Sequence, residues 1–295
     1  MDNRAEVREF LISRRAKVTP QQAGLPDGGN RRVPGLRRSE VATLAGVSTE
    51  YYAKLERGAV GGVSASVLDA IARTLHLDDA ERAHLFHLAQ AANGTSSRMR
   101  PRRRAGKRWT PRPSLQGALD QFTAPAIIGN GRMDLLACNH LGRAMHSSLY
   151  TATTTTTGEP PNFARFTFLE LDAARDFYSD WEGAADICVA ILRTEAGRDP
   201  HDKDLHDLVG ELSTRSPDFR HRWGSHNVRT HGSGTKHFHH HEVGDLELAY
   251  ESLDLISDPG LTLTLYTAEP DSPTAQALDL LASWTAASTN PSSLD

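Results

Sequence analysis

Three histidines spaced two apart, His237, His239 and His241 in KHFHHHEV, are the side chains whose type and spacing most directly suggest chemistry. On a β-strand they share one face, because successive side chains alternate across the sheet. Imidazoles held in that way can ligate zinc. A zinc catalyst also needs a further ligand from another element and a hydrogen-bonded outer shell, and neither stands out along the chain. His226 and His231 read equally well as loop residues. No order of Ser, His and Asp and no Gly-rich phosphate loop is apparent. Cys138 and Cys188 are the only cysteines, and without an export signal they read as reduced, buried thiols. The expectation is a chain that is not an enzyme and has no metal or cofactor. A metal-dependent enzyme built on His237, His239 and His241 is the alternative.

A second kind of chemistry is suggested by charge. The 295 residues have a net charge of −4, 38% hydrophobic residues and 24% charged ones, the mixture of a soluble protein long enough for two domains. The charge is unevenly placed. Residues 1–92 carry a net +2, residues 93–114 a net +8 with no acid, and residues 115–295 a net −14. A near-neutral head, a basic strap and an acidic body suggest that one end meets a polyanion. No apolar run is long enough to span a membrane, and the charged N-terminus lacks the apolar core of a signal peptide. The expected compartment is the cytoplasm.

The head must position whatever meets that polyanion. Val7, Phe10, Leu11 and Arg14 predict a helix over 4–17 with one buried stripe. Helical spacing resumes at Arg37, breaks at Gly46 and restarts at Ser48, a good N-cap. It stops at Gly58, a left-handed C-cap. Two more helices follow, one from Ser64 or Ser66 and one from Asp78. Gly46 is thus the turn between two short helices, the helix-turn-helix arrangement, held together by Val41, Ala42, Ala45, Val47, Tyr52 and Leu55.

RRVPGLRRSEVATLAGVSTEYYAKLERG resembles the DNA-binding domain of the XRE family of bacterial and phage repressors. The flanking AGLPDGGNRRVPG and VSASVLDAIARTLHLDDAERAHLFHLA are similar to the MmyB-like subgroup. NFARFTFLELDAARDFYSDWEGAADICVAILRTEAGRDP, LVGELSTRSPDFRHRW, SGTKHFHHHEVGDLELAYESL and LTLYTAEPDSP resemble that subgroup's C-terminal domain. In the subgroup, Arg and Pro stand where this chain has His237 and His241, which weakens the zinc reading.

The resemblance implies a recognition helix from Ser48 to Arg57, with its N-terminal end on base edges in the major groove. Thr49, Glu50 and Lys54 are the base-reading candidates. Lys54 suits guanine N7 and O6, Glu50 can accept from cytosine, and Thr49 can touch a thymine methyl. Tyr51 either reaches a phosphate or base methyl or is a half-exposed surface ring. Arg37 and Arg38, at the start of the preceding helix, are expected on phosphates, as are Arg31 and Arg32 unless these enter a minor groove. Glu56 and Arg57 read as a helix-end ion pair. The strap is either a solvated linker or an added DNA contact.

In the acidic body, APAIIGNGRMDLLAC predicts strand–turn–strand, followed by a short helix capped by Asn139. Helices fill 170–224, and KHFHHHEV, DLELAYESLDL and LTLTLYTAEP return to strand. Pro273 opens a last helix with Leu278, Leu281 and Trp284 inward. Such an opening is PAS-like, and the resemblance implies a fatty-acid-like ligand. Arg165, Arg220 or Arg222 is expected to hold its carboxylate, with Phe163, Phe166, Trp181, Trp223 and Tyr250 as slot walls. The whole reading is multidomain. An all-α, five-helix, lambda-repressor-like helix-turn-helix domain (1–92) and a basic linker (93–114) precede an α+β PAS-like ligand-binding and dimerisation domain (115–295). The expected partners are double-stranded operator DNA with an inverted repeat, a small apolar acid or related effector and a second copy of the chain, with the chain acting as a repressor.

Overall fold

The computed structural model describes residues 3–26, 35–93, 109–153, 158–227 and 232–289. Two compact units are present. The first comprises Met1–Arg102, Ala190–Gly210 and His221–Thr230, and the second Arg103–Val189, Glu211–Arg220 and His231–Asp295.

Five helices head the first unit: α1 (Asn3–Lys17), α2 (Arg38–Leu44), α3 (Thr49–Glu56), α4 (Ala65–Thr74) and α5 (Asp79–Ala92). Their starts are set by side-chain caps that satisfy free amides. Ser48 Oγ accepts from the Tyr51 amide, Ser64 from Val67, and Asp78 and Glu81 form a reciprocal capping box. The apolar stripes meet in one core of Val7, Phe10, Leu11, Leu36, Val41, Tyr52, Leu55, Ile71 and Leu88.

Gly46 turns the chain between α2 and α3 with φ +68°. Its amide donates to Thr43 O at 3.2 Å and the Val47 amide to Ala42 O at 2.9 Å, the paired bonds of a Schellman motif. The region around Gly46 has open space for a Cβ, so Gly46→Ala meets only the left-handed backbone cost. It is expected to lower stability by about 1–2 kcal/mol, read as a shifted urea midpoint. Gly58 repeats the motif after α3 with φ +90°, but there a Cβ would lie 2.4 Å from the Arg4 carbonyl oxygen. The close approach of α1, as well as the turn, requires glycine.

In the second unit α6 (Pro113–Leu119) precedes β1 (Ala126–Asn130) and β2 (Leu135–Cys138), then α7 (His140–Met145) and α8 (Ser147–Thr151). Helices α9 (Phe163–Leu169), α10 (Leu171–Phe177), α11 (Trp181–Arg198), α12 (Lys203–Arg215) and α13 (Pro217–Trp223) follow. The chain then forms β3 (Ser233–His240), β4 (Gly244–Asp254), β5 (Leu261–Thr267) and α14 (Pro273–Thr289). The later parts of α11 and α13 and the first part of α12 belong to the first unit. The strands make one antiparallel sheet in the order β2-β1-β5-β4-β3. Leu246, Leu248 and Tyr250 point inward and Asp245, Glu247 and Glu251 outward, the period-two division of a half-buried strand.

Asn139 joins sheet to helix. Its side chain accepts from the Gly142 and Ala126 amides and donates to the Phe122 and Ala124 carbonyls, all within 2.7–3.0 Å. In α14, Leu278 and Leu281 are buried as the spacing predicts. Trp284 is not: it is 46% exposed.

Candidate functional site

Helix α3 divides its residues cleanly. Tyr52, Leu55 and Glu56 are buried, while Thr49, Glu50, Tyr51, Lys54 and Arg57 are exposed. Ser48, at the cap, is exposed too. Arg37 and Arg38, beside the start of α2, lie on the surface. A short helix packed into the core on one side through Tyr52 and Leu55 therefore offers the opposite side to solvent. Arg31 and Arg32 lie outside the described residues, as does most of the strap.

Glu56 does not pair with Arg57 as the helix-end reading expected. Only 1% of its side chain is exposed, and it accepts from Arg15 Nη2 at 2.7 Å and Arg38 Nε at 2.8 Å. Arg15 also donates to the Leu36 carbonyl at 2.8 Å. The hydrogen bond that Arg38 donates to Glu56, and the charge of that carboxylate, raise the Arg38 pKa. One buried carboxylate thus fixes a half-exposed guanidinium at the mouth of the two-helix motif. The signal was present in the spacing: Glu56 follows Tyr52 by four residues and Leu55 by one, on the buried side of the helix.

The expected ligand residues are distributed differently from the single slot that the sequence suggested. Phe163 and Phe166 join an aromatic group with His146, Phe177, Tyr178, Phe238 and Tyr266. The His146 ring is 5.4 Å from Phe163 and 5.7 Å from Tyr266, and Phe166 is 5.9 Å from Phe177. Tyr250 adjoins the group through Tyr266, 6.4 Å away. Trp181 stacks edge-on with Phe168 and donates to the Thr167 carbonyl at 3.0 Å. Arg165 is bound to Glu211, with Nε 2.8 Å from Oε2, and Arg220 is exposed. Trp223 belongs to the first unit, where the Arg193 guanidinium lies 4.1 Å over its ring. A separate cavity of about 380 Å³ beside β2, bordered by Asp120, Cys138, Arg143 and Tyr150, contains none of the expected residues.

A cation that the sequence reading missed stands beside the aromatic group. Lys236 shares the inward side of β3 with Phe238 and His240. Its Nζ is 4.8 Å from the Tyr250 ring centre and 5.8 Å from that of Tyr266. Burial pushes its ammonium down to about 8. His146 is 1% exposed and burial pushes it down to about 4. The alternation in KHFHHH held the clue, since placing the three odd-numbered histidines on one face puts Lys236 on the other.

Those histidines occupy the solvent face. His237 lies 3.8 Å from Glu247, His239 2.7 Å from Asp245 and His241 3.3 Å from Glu242. Each turns to its own carboxylate, and the three do not converge. Among the described residues, the group whose potential ligand atoms lie within 4.8 Å of one another is Glu6, Glu9 and His226. Arg193 already occupies the Glu6 carboxylate, and its positive charge opposes a second cation there.

Residues 111–281 match the family described as the MmyB-like transcription regulator ligand binding domain, and residues 10–85 match a helix-turn-helix domain. No curated protein matches the chain. No described helix is long and apolar enough to cross a membrane.

Proposed function

The chain belongs to the MmyB-like transcription regulators, and from that premise we propose that it is a cytoplasmic repressor released from its operator by a small apolar acid. A helix-turn-helix domain and a ligand-binding domain on one chain make a transcription regulator that binds DNA and a small molecule. The observation that carries the finer reading is the exposed row Thr49, Glu50 and Lys54 on a helix whose other side is packed in the core. In this reading α3 enters the major groove, where Lys54 reads guanine, Glu50 accepts from cytosine and Thr49 meets a thymine methyl. Ser48 caps the helix, Tyr51 flanks it, and Arg37 and Arg38 hold phosphates, with Arg31 and Arg32 extending that contact.

Two copies of the chain would set two such helices about 34 Å apart on an inverted repeat. The effector acts by binding more tightly to the arrangement whose helix spacing does not fit that repeat.

Selection of bound fragments from random DNA, repeated with two variants, tests the base-reading assignment. Lys54→Ala should change the preferred base at its position, with a loss of about 1–3 kcal/mol in discrimination. Arg38→Ala should weaken all sequences alike and reduce the slope of log K against log salt by about 0.9. If both variants merely scale affinity, the assignment is wrong.

A further inference from the structure

The ligand-binding family match spans residues 111–281, yet Ala190–Gly210 and His221–Thr230 belong to the first unit, with the helix-turn-helix. Within that unit they grip α1. Arg193, wholly buried in α11, donates to Glu6 and to the Trp223 carbonyl. Its Nη1 lies 2.9 Å from His226 Nδ1. A guanidinium only donates, so that nitrogen accepts and the ring proton is on Nε2, 3.1 Å from Glu9 Oε2. In return Arg14 donates to the His226 carbonyl, and Lys17 Nζ donates to Asn227 Oδ1 at 2.8 Å. A Cβ on Gly197 of α11 would lie 2.5 Å from the His84 ring of α5, so the α11 backbone rests directly on that ring.

The same α1 holds the helix-turn-helix. Arg15, the residue after Arg14, pairs with Glu56 at 2.7 Å and donates to the Leu36 carbonyl, and Glu56 fixes Arg38 at 2.8 Å. Gly58 lets the end of α3 sit against the Arg4 carbonyl. Helix α1 is thus one rod of 15 residues, gripped at adjacent positions by two different parts of the chain. Helix α11 is likewise continuous over 18 residues, and its first half, Trp181–Val189, belongs to the second unit.

We propose that the grip of Arg193 and His226 on Glu6 and Glu9 is the joint that couples effector binding to the DNA-binding face. This rests on the regulator reading above and adds the residues through which regulation passes. The joint is either made or broken. Glu6 is 9% exposed and Arg193 not at all, so a half-opened pair leaves a buried charge without its partner. Helix shifts of about 1–2 Å are a common form of switching, and packed elements change between discrete arrangements rather than deform gradually. A shift of α11 therefore either carries α1 with it or breaks the joint. While the joint is made, α1 keeps Arg15 against Glu56, and Arg38 stays in place for a phosphate. The effector acts by favouring the broken state.

Coupling is reciprocal: whatever the joint does for DNA binding, bound DNA does for the joint. Hydrogen exchange of the full-length protein, with and without a saturating DNA fragment selected from random sequence, reads this with no effector needed. DNA should slow amide exchange in residues 190–198 and 221–227 about 5- to 150-fold. Arg193→Met alone is expected to lose stability, so the comparison is the double variant Glu6→Leu with Arg193→Met, which keeps apolar packing without the ion pair. In it the DNA-dependent slowing should disappear while the fragment still binds. Slowing that survives in the double variant comes from direct shielding or packing, and overturns the role of the ion pair. Exchange unchanged by bound DNA in the wild type overturns the joint and leaves the regulator reading standing. Failure to select any bound fragment overturns the DNA-binding reading and the joint with it.

Discussion

Arg193→Met is expected to destabilise the first unit by about 3–5 kcal/mol, the cost of breaking a buried ion pair from one side. Arg193 is fully buried in α11. It donates to Glu6 of α1 and to the Trp223 carbonyl, and its Nη1 lies 2.9 Å from His226 Nδ1. Its removal leaves the Glu6 carboxylate, 9% exposed, in a dry setting. Urea unfolding followed by tryptophan fluorescence reads the loss, since Trp223 lies directly under Arg193. The double variant Glu6→Leu with Arg193→Met should recover most of it, because replacing both charges by apolar groups removes the unpaired charge. A single variant within 0.5 kcal/mol of wild type would show that the pair does not hold this unit together.

The pH dependence distinguishes the two proteins further. Burial alone would raise the Glu6 carboxyl, but interactions with His226 and His84 and the charge of Arg193 hold it far below the usual range. A carboxyl depressed in the folded state gives stability above its unfolded pKa of about 4.3 and loses it as pH falls further. Burial also lowers His84, against the opposing influence of Glu6, so its contribution declines as pH falls below about 6.5. Wild-type stability should therefore begin to fall near pH 6.5 and fall more steeply below about 4.3. Without Arg193, protonation of Glu6 becomes favourable to the folded state, and the gap between variant and wild type should narrow in that lower range.

Glu56→Ala is the second large effect, and it links folding to DNA binding. It leaves the Arg15 guanidinium, 15% exposed, with the Leu36 carbonyl, and it releases Arg38. The expected destabilisation is about 2–3 kcal/mol, less than for a wholly dry pair because Arg38 is 54% exposed. DNA affinity should fall roughly tenfold, or about 1.4 kcal/mol, under conditions where the variant is fully folded. The loss should be uniform across sequences, because Arg38 is assigned to phosphate rather than to a base. Salt-dependent binding to one fragment and to random DNA checks this. Unchanged affinity in a folded variant would separate Glu56 from the binding face.

Local rules made much of this protein legible. Gly46 and Gly58 end helices in left-handed turns, Ser48, Ser64 and Asp78 start them, and alternating residues divide β4 into two faces. Each depends on neighbours within a few positions, where spacing alone carries the geometry. The ligand side was less legible. Arginines in NFARF and DFRHRW looked suited to an acid, but Arg165 is bound to Glu211, a partner 46 residues away.

The sequence by itself determined the helix-turn-helix, the strands of the sheet and which residues of α3 face outward, because periodicity and capping are short-range properties. Only the tertiary structure decided that Glu56 grips Arg15 and Arg38, that Arg193 meets Glu6 across 187 positions, and that Lys236 lies beside two tyrosines without an acid. The physical reason is that a charge is stabilised or stranded by whatever surrounds it in space, and chain spacing does not record which distant segment arrives there.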